Sequence, residues 1–169
     1  DPSRIVVAGD SAGATLSAAV SMLSRDRGEP SIAGQILFYP ATDLSKFETQ
    51  SQRDFAEGYY LTRKYLEIFR AHYAPNPKDW ANPLISPLLA PNLANLPPAV
   101  VITAGFDPLR DEGEAYAARL AASGVPVVQK RFDGIVHGFL TLDRLFPQAD
   151  AAISLAGAEL KILFGTGGP

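Results

Sequence analysis

Residues 4–20 read RIVVAGDSAGATLSAAV, and no other stretch limits the possible folds as strongly. Ile5-Val6-Val7-Ala8 is an unbroken apolar run, the pattern of a strand buried on both faces of a parallel sheet. Residues 12–24 then place small and apolar side chains at helical spacing, closed by Arg25-Asp26-Arg27-Gly28. Gly9-Asp10-Ser11 alone separates the two elements, so the chain must reverse direction within a very tight turn. A glycine on either side of Ser11 fits that demand, because a side chain at position 9 or 13 is expected to collide with neighbouring backbone.

The same alternation continues downstream. Residues 32–39 (IAGQILFY) read as a second strand closed by Pro40, 100–104 (VVITA) as a third and 125–132 (VPVVQKRF) as a fourth. Between the last two, 111–123 (DEGEAYAARLAAS) reads as a helix with acidic residues at its start, Arg119 near its end and Gly124 as its C-cap. A final helix is expected over 147–164, opened by Pro147 and followed by Gly-rich residues 165–168. The fold class is therefore α/β, with about four parallel strands flanked by helices and joined by right-handed crossovers.

Residues 41–98 break this rhythm. The span 47–80 holds eight of the chain's sixteen aromatics, and 75–98 holds seven of its fourteen prolines, which marks an excursion from the sheet. One helix is expected within it, at 62–73 with Thr62 as N-cap. The reading divides the chain into a core segment 1–40, an insertion 41–98 that covers something, and a second core segment 99–169.

Gly9-Asp-Ser-Ala-Gly13 matches Gly-x-Ser-x-Gly between a strand and a helix, the setting of a nucleophile elbow. A tight turn without chemistry would share the three fixed residues. A serine hydroxyl is a weak nucleophile unless a base and an orienting carboxylate serve it. Of the two histidines, His72 falls in the amphipathic 62–73 helix, where a solvated or packing role is expected. His137 follows the fourth strand in Asp133-Gly-Ile-Val-His-Gly-Phe139, and Asp107 follows the third in Ala104-Gly-Phe-Asp-Pro-Leu109. Parallel strands deliver their C-terminal loops to one edge, so Ser11, Asp107 and His137 are expected together. A helix N-cap is the competing role for Asp107, for which Asp111 looks better placed. The Ala12 N–H, at the helix start, points where an oxyanion would develop.

These residues carry a resemblance. The run from Asp1 to Gly13, Tyr39-Pro40, Ala104-Gly-Phe-Asp-Pro-Leu-Arg-Asp-Glu-Gly113 and His137-Gly-Phe139 are similar to the C-terminal part of hormone-sensitive-lipase-type esterases, an α/β-hydrolase family. The likeness covers essentially the whole chain and is loosest over 41–98, which it implies is cap-related. It implies Ser11 as nucleophile, His137 as general base then acid, Asp107 as the residue orienting His137, and Ala12 N–H in the oxyanion hole. It further implies carboxylic ester hydrolysis on short- to medium-chain acyl esters, with no cofactor and no metal. One departure is Ala14, where the family usually has a second glycine. A larger one is that the family's His-Gly-Gly-Gly loop, the source of further oxyanion donors, occurs nowhere in this sequence. The chain is therefore expected to be a fragment and a poor enzyme alone, whose strand at 4–8 pairs with the missing N-terminal half or with a second copy. Amide hydrolysis by the same residues, binding without catalysis, and a fragment that folds only with a partner remain open alternatives.

Composition closes off other classes. A net charge of −3 with no basic run longer than pairs such as Lys130-Arg131 argues against nucleic acid as the partner. No stretch has the ~18 apolar residues of a membrane span, and no signal-peptide pattern opens the chain, which gives a cytoplasmic expectation. Without cysteine there is neither disulfide nor thiolate chemistry.

Overall fold

Four strands in the order β1-β2-β3-β4 form one parallel sheet in the computed structural model, which describes residues 1–165. They are β1 (Val6–Asp10), β2 (Gly34–Phe38), β3 (Ala99–Phe106) and β4 (Val127–Val136). Each pairs with its neighbour in parallel register, Ala8 beside Ile36, Ile36 beside Val100 and Val100 beside Val128. The central strands are the most apolar ones because both of their faces are covered. β3 is buried from Ala99 to Gly105, and β2 from Gly34 to Leu37.

The strand alternation divides the core into two layers. Leu37 and Val101 point to one face, where they pack with Ala14, Ala18 and Met22 of α1 (Ala12–Arg27) and with Tyr116, Ala117 and Leu120 of α4 (Arg110–Ala122). Ile36, Val100 and Ile102 point to the other, against Ala149, Ala152 and Ala156 of α5 (Gln148–Leu163). Small alanines on α1 and α5 let both helices lie close to the sheet. α1 stops at Gly28, whose φ of +79° allows its N–H to bond back to Ser24 O and Arg25 O.

The insertion contributes two further helices, α2 (Gln50–Asp54) and α3 (Arg63–Tyr73). Thr62 caps α3 as expected, its Oγ1 accepting from Tyr65 N at 3.3 Å. α2 was not expected; a capping box holds it, with Thr49 and Gln52 each accepting the other's backbone N–H. Phe47, Leu61, Leu66 and Leu109 form a third, smaller cluster that seats the insertion on the start of α4. Arg70 ties two parts of it together, its guanidinium lying over the Phe47 ring at 4.3 Å and over the Trp80 ring at 3.6 Å.

The expected strand 32–39 is shorter, 34–38, and Tyr39 turns out of it with φ +37°. The expected strand 125–132 is displaced to 127–136. Gly134 at φ +75° and a register irregularity between Ala104 and Phe106 let β4 continue past Asp133. The tail expected after α5 lies outside the described residues beyond Gly165. Among the described residues, no helix is long and apolar enough to cross a membrane.

Candidate active site

Ser11 occupies the N-cap of α1 with φ 51° and ψ −119°, a backbone conformation that a non-glycine residue adopts only when its surroundings force it. Its N–H bonds to Phe38 O at 2.9 Å, which ties the turn to the end of β2. Gly9 makes the turn possible. A Cβ there would lie 2.8 Å from Ala14 N and closer still to Gly13 C and O. Gly13 is different: the nearest atom to a Cβ there is Asp10 Oδ1 at 4.0 Å, so the collision expected at position 13 does not occur among the described residues.

Because the Ser11 side chain makes no capping bond to α1, its oxygen is available elsewhere. Ser11 Oγ lies 2.9 Å from His137 Nε2, and His137 Nδ1 lies 2.7 Å from Asp107 Oδ2. The three ends of β1, β3 and β4 thus converge on one relay. Asp107 is fully buried and His137 is 6% exposed. Asp107 uses its second oxygen locally, Oδ1 accepting from Leu109 N at 2.8 Å. The carboxylate is therefore fixed from both ends, and its charge favours the tautomer with the proton on Nδ1 and a lone pair on Nε2. Asp111, the expected cap of α4, does something else: its Oδ2 accepts from Ser51 N at 2.8 Å and its Oδ1 from Arg110. Burial works to raise the Asp111 pKa, but the Ser51 hydrogen bonds and the Arg110 charge outweigh burial and hold it below the ordinary value. His72 stands exposed on α3, away from the relay.

The Ala12 N–H is the first of α1, where backbone donors have no intrahelical acceptor. Beside it opens a cavity of about 560 Å³ whose wall includes Ser11, Ala12 and His137 and is otherwise mostly apolar. Leu16 comes from α1, Leu44 and Phe47 from the insertion, and Tyr65, Leu66 and Phe69 from α3. Tyr60 bears on the Gly138 turn, where a Cβ would lie 3.2 Å from its Cε1 and φ is +76°.

Two buried groups beside the relay were given no role in the site by the sequence. Tyr39 packs edge-on to His137 at 4.7 Å. Glu112, which reads as one more acid in the first turn of a helix, is 1% exposed and accepts three N–H groups. Thr42 N and Asp43 N reach its Oε1 at 2.7 and 3.2 Å, and Gln52 Nε2 reaches its Oε2 at 2.6 Å. It therefore bolts the first loop of the insertion to α4. No spacing signal marks it, since its partners lie about 60–70 residues upstream.

Burial pushes the Glu112 pKa from the ordinary 4.5 up to about 8, against the pull of its Thr42 and Asp43 hydrogen bonds. Below pH 4.5 the folded and unfolded chains both carry this proton, and the contribution is level. Between pH 4.5 and 8 the unfolded chain has released it while the folded chain retains it, so stability falls as pH rises. The expected slope is roughly 1 kcal/mol per pH unit, ending above the folded value. Melting temperatures across pH 5–8 check this. A flat or rising profile would contradict it.

A family model described as alpha/beta hydrolase fold matches residues 1–141. The chain is 44% identical over 149 residues to the carboxylic ester hydrolase LipN of Mycobacterium tuberculosis, covering 85% of this chain and 39% of that protein. It is 41% identical to an arylesterase of Saccharolobus solfataricus, covering 97% of this chain and 52% of the relative. Among solved structures, EstE1, a thermophilic and thermostable carboxylesterase cloned from a metagenomic library, superposes with a TM-score of 0.92 at 42% identity, covering 96% of this chain and 56% of that one. The chain thus spans about half the length of the relatives it matches. With a family match over most of its length, and with esterases as its relatives in both sequence and structure, the chain belongs to the alpha/beta hydrolase fold family, in its hormone-sensitive-lipase-type esterase branch.

Proposed function

We propose that this chain carries the nucleophile, base and orienting acid of a carboxylic ester hydrolase acting on small-molecule esters with short to medium acyl chains. The observation that carries this reading is the unbroken relay from Ser11 Oγ through His137 to Asp107, at 2.9 and 2.7 Å. The apolar cavity opening beside Ser11, the esterase names of the relatives and the lack of clustered positive charge all support it.

In this mechanism His137 Nε2 accepts the Ser11 proton as Oγ attacks the ester carbonyl. Asp107 stabilises the imidazolium that results. The carbonyl oxygen gains negative charge and takes the Ala12 N–H, a contact of a kind worth about 3–4 kcal/mol in the transition state. Collapse of the tetrahedral intermediate expels the alcohol, which leaves with the proton from His137. Water, deprotonated by His137, then releases the carboxylic acid and restores Ser11. In this reading residues 41–98 are cap-related and hold the acyl or alcohol part under Phe47 and α3, and most of their other aromatics serve as packing. The resemblance assigns further oxyanion donors to a His-Gly-Gly-Gly loop, a motif this sequence lacks. The half-buried edge strand β1 is proposed to pair with a strand outside this chain, either the other half of the enzyme or a second copy.

Intact mass after exposure to a fluorophosphonate tests the reading directly. One adduct on the protein, absent from Ser11→Ala, is the expected result, because phosphonylation requires an activated serine. An unlabelled protein that still binds a small ester reversibly would replace hydrolysis with ligand binding.

A further inference from the structure

Tyr39 lies between the two turns that carry the nucleophile and the base, and it touches both. Its hydroxyl donates to Asp10 Oδ2 at 3.2 Å, immediately before Ser11. The Leu140 backbone N–H bears on the same oxygen, just after His137. Its ring meets the His137 ring edge-on at 4.7 Å and the Phe139 ring at 5.4 Å. Its own N–H bonds to Ile102 O at 2.6 Å, which pins it to β3. The residue is 1% exposed and sits at φ +37°, a strained conformation for a bulky side chain.

Strain at a buried residue persists only where its neighbours dictate it, and here they do so around a single ring. Asp107 and Ser11 hold the two nitrogens of His137 from opposite sides. Small tilts of the ring within those two contacts still change how Nε2 faces Ser11 Oγ. The Tyr39 ring packs on the imidazole from a further direction, edge-on at 4.7 Å, and limits that tilt. Phe139 packs on the Tyr39 ring in turn, and the Asp10 contact anchors Tyr39 to the residue beside Ser11.

We infer that Tyr39 is a positioning residue: through its hydroxyl contact with Asp10 and its ring contact with His137, it sets the tilt of the imidazole relative to Ser11 Oγ. The inference rests on the hydrolase reading for its kinetic consequence, while the geometric claim stands apart from it. Burial first, and then the Asp10 charge, keep the Tyr39 phenol protonated, as the donor role requires.

Tyr39→Phe keeps the ring contact with His137 and removes the anchor to Asp10. It should slow phosphonylation and lower kcat roughly tenfold with KM within about twofold, since a small misplacement of reacting groups costs rate before binding. Asp10→Asn should lose less alone, and adding it to Tyr39→Phe should cause little further loss, because both act through one contact. A tyrosine that merely fills the core would lower the melting temperature and leave these rates unchanged. The chain has only two histidines, so NMR supplies an independent readout. The His137 Nδ1 proton should exchange with water several-fold faster in Tyr39→Phe, with His72 unchanged as the internal control. Unchanged exchange, or additive losses in the double variant, would overturn the proposal. Faster exchange in a protein whose wild type takes no fluorophosphonate would overturn the hydrolase reading alone and leave the positioning role in place.

Discussion

In an enzyme whose oxyanion hole is complete, Ser11→Ala should lower kcat for a short-chain ester by about 10⁶ while leaving KM close to its original value, since removing one member of the proposed nucleophile–base unit costs nearly as much as removing all of it. Ser11 Oγ makes no bond that holds the turn together; its contact is with His137 Nε2. The fold should therefore survive the change. Asp107→Asn is the more informative partner. Asparagine Oδ1 can still accept from Leu109 N, so the local turn is kept. Its amide group would then face His137 Nδ1 as a donor and force the ring proton onto Nε2, where it faces Ser11. A base already protonated at that nitrogen cannot take the serine proton, and kcat should fall by about 10⁴. Steady-state kinetics on both variants, with melting temperatures alongside, check the assignment. If Asp107→Asn retains activity within about tenfold, the carboxylate serves the turn more than the imidazole.

Much of this arrangement was legible because parallel sheets write themselves plainly into sequence. Strands buried on both faces appear as unbroken apolar runs, which is why β1 and β3 were placed within a residue or two of where they lie. A common edge for the strand ends then follows from topology, and with it the meeting of Ser11, Asp107 and His137. β4 was harder. Its middle, Gln129–Arg131, is exposed and polar because it lies at the sheet edge, and Gly134 and Asp133 look like a turn. Only pairing with a bulged β3 carries the strand through to Val136. α2 had a readable signal in Thr49 and Gln52, three apart, but five residues give no periodicity.

The buried polar groups were out of reach for a different reason. Glu112 and Tyr39 acquire their roles from contacts far away in the chain, and a residue type at one position says nothing of what covers it. Glu112 resembles Asp111 in every local respect, yet one is sealed under residues 42–52 and the other meets Ser51 near the surface. Gly9 and Gly13 make the same point in reverse. The motif treats them as equals, whereas the structure requires only one of them for steric reasons among the described residues.

That difference yields the second large prediction. Gly9→Ala places a methyl group 2.8 Å from Ala14 N and closer still to the Gly13 carbonyl, with backbone rather than side chain as the obstacle. Backbone at the start of α1 cannot step aside without shifting the helix from β1 and β2, because Ala14 and Ala18 are fully buried there. The expected loss is about 3 kcal/mol or more, which for a chain of this size lowers the melting temperature by roughly 6–12 °C. Fluorophosphonate labelling should fail in the folded remainder, since any relaxation moves Ser11 away from His137. Gly13→Ala is the matched control. Its methyl group meets nothing nearer than 4.0 Å and sits within α1, where alanine is favoured over glycine by about 1 kcal/mol. It should melt at the same temperature or higher and should still label at Ser11. Equal damage from the two substitutions would overturn the steric distinction between Gly9 and Gly13.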